Sequence, residues 1–168
     1  HTIGRRQRQM CIRDRKRQIV SGVDAIQIFD SWANLLSEEQ YLEYSLKYIK
    51  KILKKLSEDP ITSKTPTIVF ARDPKCNLNE FKLDGLSCYG MFTSVNPITA
   101  IRVFEGSHAL QGNLDPKILL EEDSVIKESA VKMLSEFKDF PGYIFNLGHG
   151  ITPDINPDKV KVLVEAIR

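Results

Sequence analysis

Ala25-Ile26-Gln27-Ile28-Phe29-Asp30-Ser31-Trp32 is the stretch on which the fold turns. Four of its first five residues are apolar, and two of them are isoleucine, so residues 25–29 predict a strand. Three residues of another kind follow at once: an acid, a hydroxyl and an indole. Ser37 then stands three residues before Gln40, the spacing of a capping box, and opens a helix. Leu42, Leu46, Ile49, Leu53 and Leu56 recur at helical steps, with Lys47, Lys50, Lys51, Lys54 and Lys55 mostly off their stripe. The stripe is a core face, and Pro60 ends the run.

The same strand–helix order repeats along the chain. Thr67 to Ala71 is a strand, followed by a short helix within residues 77–84. Residues 88–92 are a strand and 97–104 a helix with Pro97 at its start. Residues 109–111 are a strand, and 116–138 contain a helix, clearest over 124–137. Residues 143–147 are the fifth strand and 157–168 the last helix. Units of this order imply an α/β fold with a parallel sheet, either doubly wound or a (β/α)₈ TIM-type barrel. A barrel places functional residues just after its strands. Asp30-Ser31-Trp32, Arg72-Asp73, Gly112-Asn113 with Asp115, and His149 all stand there. About five βα units are too few to close eight strands, so the chain reads as the C-terminal portion of a barrel, with unpaired strand edges that favour association.

Composition narrows the function classes. The formal charge of +2 is misleading, because residues 1–18 hold seven of the 24 Lys and Arg against one acid. The rest carries 17 basic and 21 acidic residues, a net of −4, which speaks against a nucleic-acid partner. No apolar run approaches the ~20 residues of a membrane span, and no apolar segment follows the basic start as in a secretory signal. Three cysteines without a CxxC suit free thiols in a reducing cytoplasm, and no zinc-ligand spacing appears. There is also no GxGxxG or P-loop lysine motif. Residues 1–15 show neither helical nor strand periodicity. Met10-Cys11-Ile12-Arg13-Asp14-Arg15 is what ATG-TGT-ATA-AGA-GAC-AG(A/G) encodes, which resembles a transposon-end sequencing adapter. Residues 1–15 are therefore expected to be a basic tail, disordered or non-native, and 16–168 the folded domain.

Asn146-Leu147-Gly148-His149-Gly150 holds the most exposed chemistry. A histidine between glycines, where a strand becomes a loop, offers its imidazole to a ligand; it could equally bond nearby backbone. Ser31 is a ligand contact or a turn serine. Asp115 before Pro116 reads as a helix N-cap and is structural. Arg72 could hold a carboxylate or lie at a rim, and His108 reads as a surface residue.

Three stretches together carry a resemblance. Residues 22–33 (GVDAIQIFDSWA), 110–116 (LQGNLDP) and 145–151 (FNLGHGI) resemble, in order and spacing, the uroporphyrinogen decarboxylase family. The likeness covers residues 16–168, and IQIFDSWA with NLGHG is its specific part. It implies a carboxy-lyase on a distorted (β/α)₈ barrel, a homodimer when intact. Such an enzyme turns the four acetate side chains of uroporphyrinogen III into methyls, giving coproporphyrinogen III, in porphyrin and heme biosynthesis. It needs neither metal nor organic cofactor. The implied substrate-binding residues are Ser31 and His149. No catalytic residue is expected in this segment: the family's arginine-bearing motif, its pyrrole-gripping aspartate and its cleft tyrosine are not in it. Beyond residue 18 the only arginines are Arg72, Arg102 and Arg168, few for a polycarboxylate. The expectation is poor substrate binding and no useful catalysis by the segment alone.

The sequence also departs from the family. After Tyr89-Gly90 the usual Leu-Asp-Trp-Thr is replaced by Met91-Phe92-Thr93-Ser94, and Asp73-Pro74-Lys75 replaces a glycine-rich stretch. A cobalamin- or thiol-dependent methyltransferase on the same barrel would hold zinc with a His-x-Cys pair and a late Cys. Here Phe70 and Arg72 occupy the pair positions, and the late strand has no Cys. A basic-armed binding module would rest on the tail alone.

Overall fold

The computed structural model describes the backbone of residues 2–168 and the side chains from Met10 onward, so the expectation for residues 1–15 meets it only from residue 2. Five strands and six α-helices follow in alternation: α1 (Thr2–Val20), β1 (Ile26–Asp30), α2 (Glu38–Tyr41), α3 (Lys47–Glu58), β2 (Thr67–Ala71), β3 (Cys88–Gly90), α4 (Pro97–Phe104), β4 (Ala109–Gln111), α5 (Asp123–Glu136), β5 (Tyr143–Ile144) and α6 (Pro157–Ala166). They form two compact units, His1–Tyr89 and Gly90–Arg168. The pairings within each unit are parallel, so the α/β class and the five strand–helix units of a partial (β/α)₈ barrel are what the chain forms. No described helix is long and apolar enough to cross a membrane.

In the first unit β1 lies parallel to β2, Ile26 opposite Thr67 and Asp30 opposite Ala71. Ser87 N–H donates to the Thr67 carbonyl at 2.9 Å and brings the start of β3 beside β2. The expected capping box is present: Gln40 N–H donates to Ser37 Oγ at 3.3 Å, and Ser37 N–H to Gln40 Oε1 at 3.1 Å. The helix after it is not uniform. A π-turn over Leu42–Leu46 separates α2 from α3, one extra residue per turn that periodicity alone does not reveal. The stripe still closes the core, with Leu46, Ile49, Leu53 and Leu56 buried and Ile52 added to them. Tyr41, Phe81 and Tyr89 extend it, the Phe81 and Tyr89 rings 4.6 Å apart. The short helix expected within 77–84 is a 3-10 turn over Leu78–Phe81, started by Asn77 accepting from Asn79 N–H.

The basic segment at the start of the chain enters the structure as α1, residues 2–20. Arg, Gln, Lys and Met are good helix formers, and no Gly or Pro follows Gly4 until the helix has ended. The segment lacks an apolar stripe, which is why periodicity does not show it. Its stop is chemical: Gly22 takes φ +92° and donates N–H to the Ile19 carbonyl at 2.9 Å, a left-handed C-terminal cap. Lys16 then reaches Asp59 beyond α3 at 2.7 Å and holds that carboxyl below the usual carboxylate range.

In the second unit β4 and β5 are parallel, Leu110 opposite Tyr143, and a bridge between Leu114 and Leu147 prolongs them. Only Tyr143 and Ile144 of the expected 143–147 form regular strand; Asn146 turns its side chain back to cap Leu147 N–H at 2.8 Å. Met91 N–H donates to the Gln111 carbonyl at 2.7 Å, beside β4. Asn96 and Asn156 cap α4 and α6, each ahead of a proline at the first helical turn. Residues 116–138 split into a 3-10 turn, Pro116–Leu120, and α5. Leu114, Leu119, Ile126, Ala130, Ile155 and Leu163 are the buried centre of this unit.

Two outcomes follow from this packing. Leu53 is fully buried, so Leu53→Ala should lower stability by about 2–5 kcal/mol, against little change for the exposed Lys54→Ala, measured by urea denaturation. The thiols should separate as well. Cys11 is exposed, while burial pushes Cys76 up to about 11 and Cys88 up to about 12. The thiolate is the reacting form, so at pH 7 an alkylating reagent should take Cys11 first and the other two slowly. Their rates should climb only as pH rises toward those values; equal reaction of all three in the folded chain at pH 7 would contradict the packing.

Candidate functional site

Every sequence-predicted site residue stands just past the C-terminal end of a strand, within one unit or the other. In the first unit Arg72 N–H donates to the Asp30 carbonyl at 2.9 Å, which carries the parallel pairing to the last residue of β1. The Asp30 carboxylate accepts a short hydrogen bond from Ser45 Oγ, a residue of the π-turn. Tyr41, buried beside this pair, is strongly resistant to ionisation, chiefly through burial and secondly through the Asp30 charge. Asp30 is thus committed to the fold. The next residue is not: Ser31 is exposed, and its hydroxyl makes no hydrogen bond among the described residues. Ser31 stands in the turn that follows β1, with its side chain exposed to solvent. Trp32 is 71% exposed beside it and Phe29 64%, an apolar flank to a polar hydroxyl. Arg72 is half-buried at the end of β2.

In the second unit three strand ends converge. Gly148 is tight: a Cβ there would lie 2.6 Å from the Thr93 backbone nitrogen, so only glycine lets the two segments meet. Gly112 is constrained twice, by φ +121° and by the Met91 carbonyl oxygen 2.8 Å from where a Cβ would be. The Gly112–Asn113 peptide is cis. The Tyr143 hydroxyl donates a short hydrogen bond to the Gly112 carbonyl, and its ring stacks on Phe137 with centroids 3.9 Å apart. Asn113 is only 5% exposed; its Nδ2 donates to the Phe92 carbonyl at 3.0 Å and the Val95 carbonyl at 2.7 Å.

His149 completes the arrangement. Its ring meets Phe92 edge-on, centroids 5.9 Å apart at 85°. Nδ1 lies 3.1 Å from the Gly150 carbonyl. A carbonyl only accepts, so the contact is a hydrogen bond when Nδ1 carries the proton, the tautomer in which Nε2 is the ring's acceptor. The nearby-backbone contact expected of this residue is present at Nδ1. Within this unit no carboxylate hydrogen-bonds the imidazole.

Two other assignments resolve. Asp115 is the N-cap it was expected to be, accepting from Lys117 N–H at 2.9 Å with Pro116 following. His108, expected at the surface, is half-buried with its ring edge-on to Phe104, because the turn after α4 folds it back. Asn113 and Phe92, both named from the sequence, carry the geometry around His149 in a way the sequence did not show. Asn113 follows a strand next to a glycine, which is a signal, but its carbonyl partners lie about twenty residues upstream and leave no mark in the sequence. Among the described residues, no group of three or more His, Cys, Asp or Glu could hold a metal ion.

Known proteins answer to this arrangement along the whole chain. A family model described as uroporphyrinogen decarboxylase (URO-D) matches residues 2–168. A protein named uroporphyrinogen decarboxylase from Alcanivorax borkumensis is 39% identical over 150 residues, 89% of this chain and 42% of its own length. One of the same name from Vesicomyosocius okutanii is 40% identical over 151 residues, 89% and 43% of the two chains. Another, from Chloroherpeton thalassium, is 41% identical over 157 residues, 90% and 43%. The chain therefore spans a little under half the length of the curated relatives it matches. With strand-end residues and parallel βα units of the expected kind, and a match from residue 2 to residue 168, the chain belongs to the uroporphyrinogen decarboxylase family.

Proposed function

We propose that these residues are the part of a uroporphyrinogen decarboxylase that grips substrate through Ser31 and His149. The observation that carries the reading is a glycine-flanked imidazole whose Nδ1 meets the Gly150 carbonyl, in a chain about 40% identical to proteins of that name over nine-tenths of its length. The whole enzyme removes CO₂ from the acetate side chains of uroporphyrinogen III, leaving the methyls of coproporphyrinogen III. It works as a homodimer in the cytoplasm, without metal or organic cofactor.

The chemistry sets what a site must supply. Loss of CO₂ leaves an electron pair on the side-chain methylene. A pyrrole ring protonated beforehand takes up that pair, a proton then delivered to the methylene completes the methyl, and the ring gives back the proton it had taken. The demands are an acid, holders for the remaining carboxylates and a preorganised cleft. Ser31 Oγ can donate to a carboxylate oxygen. His149 Nε2 accepts a hydrogen bond when neutral and donates one when protonated. With three arginines beyond residue 18, this segment holds too few bidentate anion partners for a polycarboxylate, and the acid and most anion holders belong to the rest of the enzyme.

Grafting provides the test. Residues 16–168, exchanged for the matching segment of the Alcanivorax borkumensis relative, should yield an enzyme that forms coproporphyrinogen. In that chimera Ser31→Ala and His149→Gln should each raise KM about 10-fold, the loss of one hydrogen bond worth about 1.4 kcal/mol. The 168-residue chain alone should form no product. A folded chimera without activity, or full activity from the chain alone, would contradict the proposal.

A further inference from the structure

We propose that Asn113 is the positioning residue of His149, acting through the loop formed by residues 92–95. The inference rests on the reading above for its consequence, since His149 matters only as a substrate contact. Its geometry stands independently.

The 92–95 loop has no secondary structure of its own to hold it. Its chain leaves β3 at Gly90 and enters α4 at Pro97. Asn113 supplies what regular pairing would: two donors of one amide engage two of the loop's carbonyls, at 3.0 and 2.7 Å. Within the loop Val95 N–H donates to the Phe92 carbonyl at 3.0 Å, so the Phe92 oxygen is shared between the loop's turn and the amide. An amide at 5% exposure, with both carbonyls as acceptors, cannot be replaced by water without opening the unit.

The loop in turn touches the histidine motif at two consecutive residues. Thr93 closes on Gly148, where even a methyl group would collide with the backbone. Phe92 presents its ring to the His149 imidazole at 85°. One contact sets the height of the Gly148 backbone and the other sets the plane of the ring. With the plane set, Nδ1 meets the Gly150 carbonyl and Nε2 faces away from it. The tautomer that leaves a lone pair on Nε2 therefore depends on the chain of contacts Asn113, Phe92, His149. Asn113 touches no substrate; it holds the group that holds the group that does. Glycine flanks make this necessary, because residues 148 and 150 leave the imidazole free to swing unless something outside the motif holds it.

The test uses the 168-residue chain, isotope-labelled, with His149 signals assigned through His149→Gln. In the unaltered chain the His149 ring nitrogens should be well separated, Nδ1 protonated and Nε2 bare, with an NOE from the Phe92 ring to an imidazole proton. Asn113→Ala removes both donors, and the isosteric Asn113→Asp sets a carboxylate against the two carbonyls. Both should bring the two nitrogen shifts toward a common tautomer average and abolish the NOE, while first-unit signals such as those of α3 stay in place. Folded variants that keep the separated nitrogens and the NOE would overturn the proposal. Where neither variant folds, the unaltered chain decides: slow solvent exchange of the Asn113 amide protons, together with the NOE, supports it, and fast exchange or a missing NOE overturns it. No readout uses substrate, so this result and the decarboxylase assignment can fail separately.

Discussion

The backbone of Thr93 lies where a side chain on Gly148 would have to be, and the arrangement of the second unit's loop end depends on that contact. Close backbone approach is a steric constraint with no graded response. It either holds, with glycine, or the loop moves. Gly112 repeats it one strand away, against the Met91 carbonyl, so residues 91–93 are flanked on both sides by glycines that admit them. Asn113 then ties the same segment down by hydrogen bonds. Sterics define where the loop can lie, and the amide selects it.

The first unit reaches a comparable end by different means. There a charge does the holding. Asp30 closes β1, and its carboxylate is committed to Ser45 on the π-turn. A regular α-helix through residues 42–46 would rotate Ser45 relative to the residues before it by the angle that one residue covers, about 100° at 3.6 residues per turn. The extra residue of the π-turn and the hydrogen bond to Asp30 are therefore parts of one arrangement. It leaves Ser31 as the first uncommitted polar group after the strand. In both units, then, the residue next to the free group is consumed in structure: Asp30 beside Ser31, and Gly148 beside His149.

Much of this was legible in the sequence, for identifiable reasons. Ser37 and Gln40 declare a helix start because the capping chemistry is local, and Asp115-Pro116 does the same. The leucine stripe declares α3 because burial and period coincide. The α1 helix was illegible because its residues favour helix by propensity without showing a face, and periodicity reads only faces. The π-turn, the split of residues 116–138 and the shortening of β5 escaped for the same kind of reason: each depends on a partner distant in sequence or on a side chain turning back on its own backbone. His149 could be picked out from its flanking glycines. Asn113 could be placed after its strand, but its role could not be read, since an asparagine there looks the same whether it faces solvent or holds a loop twenty residues away.

The departure at residues 91–94 bears directly on what His149 can do. Phe92 stands where the resemblance leads one to expect an aspartate, and it is the ring that meets the imidazole. A carboxylate against an imidazole orients it and stabilises its protonated form, the usual support for a histidine acting as base. An aromatic edge offers orientation without charge, and the Gly150 carbonyl offers orientation at Nδ1. The ring thus meets an aromatic edge on one side and a backbone carbonyl at Nδ1. An imidazole so placed suits recognition, one directional hydrogen bond at Nε2, better than proton transfer.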